Sequence, residues 1–190
     1  MKVNIKNNKL MRRLAITAII IICFSFILEF NYTTTAAILL YLNSFIPVVL
    51  VWYLVAILQF AGEDIAVQTP FSIYLGISLI SLLSQLFTPG SSLLAMGVLN
   101  GILLIYILVA TFKIRNKKFS TIYRAYSISL LCILLVKLGA IFIIPMQFNL
   151  GHPFFTNFIV LLDIVPLYIA LWIINTAGEI LKTGNEQLSA

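Results

Sequence analysis

Residues 123–175 read YRAYSISLLCILLVKLGAIFIIPMQFNLGHPFFTNFIVLLDIVPLYIALWIIN. Two long apolar runs lie here, and each contains one ionisable residue, Lys137 or Asp163, where a lipid environment is least tolerant of charge. Lys137 stands eight residues before Pro145, which closes the first run, and Asp163 eight residues after Phe155, which opens the second. If the runs are antiparallel spanning helices, both charges lie about 12 Å inside the same face of the bilayer, at the ~1.5 Å rise of an α-helix. A lone charge at mid-helix costs about 2.5–3.5 kcal/mol on insertion scales, so such residues pair or line a polar cavity.

The surrounding composition supports that reading. Of 190 residues, 62% are hydrophobic and 9% charged, against roughly 25% charged in an ordinary soluble domain. The net charge of +6 does not point to nucleic acid, because ten of the twelve Lys and Arg sit in two blocks flanking apolar runs. The first block is Lys2, Lys6, Lys9, Arg12 and Arg13; the second is Lys113, Arg115, Lys117, Lys118 and Arg124. Cys23 and Cys132 both fall inside apolar runs, where a thiol behaves as a small hydrophobe, and imply neither a disulfide nor a metal.

The sequence predicts an all-α membrane protein, a polytopic bundle of six transmembrane helices with both termini cytoplasmic. Residues 1–13 form a basic cytoplasmic segment, 14–177 the transmembrane domain, and 178–190 a cytoplasmic tail. The spans are expected at about 14–30, 36–60, 71–87, 92–112, 122–144 and 155–175. The first reads as a retained signal anchor, since the small residues Thr34, Thr35 and Ala36 make a poor cleavage site. Pro47 should kink the second helix, Pro70 should break the chain before the third, and Thr88–Pro89–Gly90–Ser91 should turn it before the fourth. The connections at 31–35, 88–91 and 145–156 contain no Lys or Arg, which makes them external under the rule that cytoplasmic loops carry the cations. A five-span arrangement, with the second helix re-entrant at Asn43 to Pro47, would put the second basic block outside.

Depth singles out the candidate site. Asn43, Asn100, Lys137 and Asp163 each lie seven or eight residues from the outer end of their helix, at one level in the outer half of the membrane. Glu29 and Gln85 lie nearer the outer surface, as a mouth. The third helix adds a polar stripe, Ser78, Ser81, Ser84 and Gln85, at three- and four-residue steps. Such a level either forms a satisfied network that fixes helix register or receives a ligand. Gly97-x-x-x-Gly101 on the fourth helix is a small-residue pattern suited to close helix packing.

Enzymatic chemistry is not expected. His152 is the only histidine and lies beside Pro153 in a loop, there is no His-Glu-x-x-His pair for a metal, and Asp163 has no second acid at its depth. Glu63 and Asp64, adjacent on a short inner loop, read as a solvated cap. No cofactor is implied. The expected partners are the lipid bilayer, a small polar solute, and a partner membrane or cytoplasmic subunit.

The reading is therefore a small-solute transporter or the substrate-binding membrane subunit of one, in a cell membrane (an inner membrane, where there are two). The alternative is a non-transporting sensor, assembly factor or scaffold whose buried ion pair is structural. In layout alone, six spans in about 190 residues with both ends inside, the chain resembles the substrate-capture subunits of vitamin importers. An outward cavity at the pair favours transport, and a dry packed pair favours the alternative.

Overall fold

The computed structural model describes residues 2–28, 33–87, 93–147 and 159–189, and every regular element among them is an α-helix. In chain order these are α1 (Ile5–Leu28), α2 (Thr33–Asn43), α3 (Phe45–Phe60), α4 (Ile65–Phe87), α5 (Leu93–Thr111), α6 (Lys117–Gln147) and α7 (Ile164–Ser189). Helices suit a chain this apolar because each satisfies its own backbone donors and acceptors where no water reaches. Five stretches are long and apolar enough to cross a membrane: Ile5–Leu28, Ile38–Phe60, Ile65–Leu83, Lys117–Gly139 and Ile159–Thr183. Gly97–Thr111 in α5 is a shorter apolar helix, so five to six helices have spanning character. Ile20, Ile27, Ile102, Val109, Leu135 and Tyr168 are each more than half exposed, an apolar exterior that a soluble monomer would not sustain.

Several helices run past the stretches that hydropathy assigns. The first starts at Ile5 rather than residue 14, because Asn4 caps it: the Asn7 N–H donates to Asn4 Oδ1 at 2.7 Å, the contact that satisfies a first-turn donor. Residues 5–13 and 178–189, read as a flanking segment and a tail, are thus helical. The fourth starts at Ile65, so Pro70 lies inside it rather than before it. The Gln68 side chain donates to the Glu63 carbonyl at 2.6 Å and the Thr69 hydroxyl to the Ile65 carbonyl at 2.8 Å, bonds that secure the first turn of the helix, while Pro70 removes the N–H that would have served the Ala66 carbonyl. Likewise α6 begins at Lys117, where Asn116 Oδ1 accepts the Lys118 N–H at 3.1 Å, and it ends two residues beyond Pro145.

Two helices are disturbed just before a proline. Between α2 and α3 the regular pattern pauses for one residue at Ser44, three residues before Pro47, although Ser44 keeps helical backbone angles and its N–H still donates to the Leu40 carbonyl at 3.0 Å. Proline has no N–H for the carbonyl four residues back and its ring crowds that carbonyl, which here belongs to Asn43. A second turn, Leu162–Asp163, precedes Pro166 in the same way. There the Leu162 carbonyl, which Pro166 leaves without its helical donor, accepts the Val165 N–H at 3.0 Å.

Packing closes the helices into one bundle. The first helix lies against α2, α3 and α7; α3 also packs on α4 and α7; and α4, α5, α6 and α7 follow one another around the remaining side. The buried face of α1 is Asn8, Met11, Ala15, Ala18, Ile22 and Ser25, a stripe of mostly small residues that lets a neighbouring backbone come close. At one end Asn8 joins three helices, donating to the Ile174 carbonyl at 3.0 Å and accepting from the Tyr53 hydroxyl at 3.1 Å. In the core the Tyr123 hydroxyl donates to the Leu54 carbonyl at 2.7 Å, and its ring meets Phe71 and Phe119 edge-on. Gly97 and Gly101 face α6: a Cβ would lie 3.1 Å from Leu138 Cδ2 at the first and 3.5 Å from Leu134 Cδ2 at the second. Their missing side chains are used within the chain.

The turns on the side of the two basic blocks are tied together. Gly62, at φ 72°, takes the left-handed conformation that ends a helix without a Cβ penalty. The Gly62 N–H then reaches the Gln59 carbonyl at 3.1 Å and the Glu63 N–H the Leu58 carbonyl at 3.1 Å. This aims Glu63 inward, where its carboxylate accepts the Arg115 and Asn116 backbone N–H groups at 3.0 and 2.9 Å. Glu63 is only 5% exposed. It is therefore a buried clamp and not the solvated cap that its sequence position suggested, while Asp64 pairs with Arg115 at the surface.

Candidate functional site

Lys137 reaches Asp163 from α6 and donates to both carboxylate oxygens, at 2.7 and 2.8 Å. The sequence arithmetic that sets the two at equal depth is thus matched by a direct bidentate contact. The lysine and aspartate side chains remain 40% and 37% exposed. Both line a cavity of about 400 Å³, within the ~300–1,000 Å³ typical of small-molecule sites.

The two interruptions shape one wall of this space. Asn43, Ser44 and Pro47 from the α2–α3 pause line it, as do Asp163 and Pro166 from the turn before α7. The N-terminus of α7 begins at the cavity, bringing the positive end of its backbone dipole to it. Asp163 immediately precedes the first residue of α7, where that dipole favours a carboxylate. The Ser44 hydroxyl donates to the Tyr41 carbonyl at 2.6 Å, a back-bond within helical backbone.

Asn43 and Asn100 complete the polar lining from α2 and α5. Asn43 is 4% exposed, and the side-chain oxygens of both asparagines are buried without a hydrogen-bond partner among the described residues. An orphaned buried acceptor costs about 1–3 kcal/mol, so two of them on one cavity mark an unmet binding capacity. The rest of the surface is mainly aliphatic, from Leu50, Leu104, Leu134 and Leu167 among others.

Four of the six residues singled out by depth, Asn43, Asn100, Lys137 and Asp163, thus share one cavity. Glu29 lies outside the described residues, and of Gln85 only its place in α4 is described. Tyr74, Ser78 and Tyr126 also line the cavity. Ser78 belongs to the serine stripe, but the two tyrosines were missed. Tyr126 precedes Lys137 by eleven residues, three helical turns, and Leu130, Ile133 and Leu134 between them line the same cavity. That periodicity was a usable signal. Comparison with known families, curated proteins and solved structures gives no match.

Proposed function

We propose that this chain is a six-span membrane protein, with both termini in the cytoplasm, that binds a small solute in the cavity at Lys137 and Asp163 and carries it across the membrane or presents it to a transporting partner subunit. The observation that carries this reading is the pair's position on a 400 Å³ cavity beside two asparagine oxygens without partners among the described residues. Broken helices meeting at a polar cavity are how many secondary transporters build their midplane sites. The solute is small, mostly apolar, and close to neutral overall, since the only charges lining the cavity among the described residues are one cation and one anion. It carries N–H or O–H donors for Asn43 and Asn100. A bidentate pair is also what a structural lock would use, which keeps the scaffold reading as the competitor.

The asparagines discriminate the two readings. With purified protein, Asn100→Leu should raise the melting temperature, because it removes an orphaned acceptor costing about 1–3 kcal/mol. The same variant should abolish the thermal shift given by any amide, amine or N-heterocycle that stabilises the wild type in a solute screen. A bundle in which Asn100 belongs to a satisfied register-fixing network would instead melt earlier, and that result would remove the solute reading.

Orientation is supported by ten cations in two blocks against none in the three opposite connections. In a background lacking Cys23 and Cys132, an impermeant thiol reagent added outside intact cells should label Thr34→Cys and spare Lys117→Cys. The opposite pattern would invert the topology.

A further inference from the structure

A second, separate cavity of about 340 Å³ lies between α1 and α7 at the end of the bundle that holds the first basic block. From α1 it is lined by Asn8, Lys9 and Arg12, and from α7 by Gly178, Glu179 and Lys182. Both sets follow helical three- and four-residue steps, so two facing stripes form the walls. Asn8 is the floor, its amide already engaged by Ile174 and Tyr53. Gly178 lets the amide sit there: a Cβ at that position would lie 2.5 Å from Asn8 Nδ2. The rim is exposed and carries three cations and one anion, and none of Lys9, Arg12 and Lys182 forms an ion pair among the described residues.

Depth identifies what such a groove meets. The apolar run of α1 begins at Leu14 and that of α7 ends near Asn175, so the groove opens where both helices leave hydrocarbon, at the level of lipid headgroups. Cationic pockets between spanning helices at this level suit anionic headgroups. A surface whose lysines only set orientation would be dispersed; here three cations from two helices converge on one concave site. We propose that this groove binds the phosphate group of an anionic phospholipid, held by Lys9, Arg12 and Lys182, with Glu179 limiting the affinity. The site is independent of the solute cavity and shares no lining residue with it.

The test uses the full chain purified from nanodiscs containing phosphatidylglycerol and phosphatidylcholine, with retained lipid counted by native mass spectrometry. Wild type should retain phosphatidylglycerol preferentially. Lys9→Gln, Arg12→Gln and Lys182→Gln should each lower that retention about fivefold, the worth of one basic side chain near an anionic surface, and Glu179→Gln should raise it. The charge-matched controls, Lys113→Gln, Lys117→Gln and Lys118→Gln made singly, should each leave it unchanged. Equal losses from the controls and the groove variants, or no loss from the groove variants, would overturn the proposal; the single substitutions at exposed positions keep the result readable. Soluble glycerol phosphate provides the second arm: competition assigns the site to the phosphate alone, and preference retained without competition assigns it to phosphate presented by the bilayer.

Discussion

Lys137→Met destabilises the bundle by about 3 kcal/mol, Asp163→Leu does the same, and the double variant regains most of the loss. The magnitude is the low end of the ~3–5 kcal/mol for breaking a buried pair, because both side chains retain more than a third of their exposure and the cavity lets water soften the uncompensated charge. The recovery follows because an apolar pair of similar volume removes both desolvation costs at once. On the reading that about 12 Å of helix separates each from the membrane face, neither partner escapes alone, because a lysine stem covers only part of that distance. Urea or thermal melts of the four proteins in one detergent give the coupling directly. Strict additivity would mean that the contact at 2.7 Å contributes nothing. The functional readout divides the two readings: a solute site predicts a double variant that folds and no longer binds, whereas a structural lock predicts one that folds and keeps its activity.

That pair was legible because a charge inside an apolar run is rare and helix rise converts sequence position into depth. The same arithmetic singled out Asn43 and Asn100, and all four residues line one cavity. Other features were hidden for physical reasons. Hydropathy reports where lipid ends, but a helix ends only where a cap or a proline stops it, so Asn4 and Asn116 set starts that the apolar pattern did not. Pro47 announced a disturbance, and it takes the form of a one-residue pause at Ser44 through which the backbone stays helical. Pro70 announced a break, yet α4 runs through it. Asn8 and Gly178 lie 170 residues apart, and nothing in either local pattern says that they touch. Periodicity gives the face of a helix and not the partner opposite it.

Glu63 is the sharpest instance of such a hidden partner, and it carries the second large effect. Glu63→Ala lowers stability by about 2–4 kcal/mol, whereas its neighbour Asp64→Ala costs less than about 1 kcal/mol. The two carboxylates differ in what they hold. Glu63 is buried and accepts two backbone N–H groups, those of Arg115 and Asn116; removing it leaves two donors without a partner, at about 1–3 kcal/mol each before water or relaxation recovers part of the loss. Asp64 makes a shorter contact, 2.7 Å to Arg115, but with side chains 76% and 55% exposed, the setting in which ion pairs contribute about 0–1 kcal/mol. Glu63→Gln should fall between, because its amide oxygen still accepts while its charge is lost. The clamp joins the turn after α3 to the turn before α6, and α6 carries Lys137, so Glu63→Ala should also loosen the cavity. Hydrogen exchange at the amides of residues 115 and 116 should accelerate in Glu63→Ala and stay unchanged in Asp64→Ala. Equal melting temperatures for the two variants would show that burial and backbone capture do not separate these adjacent acids.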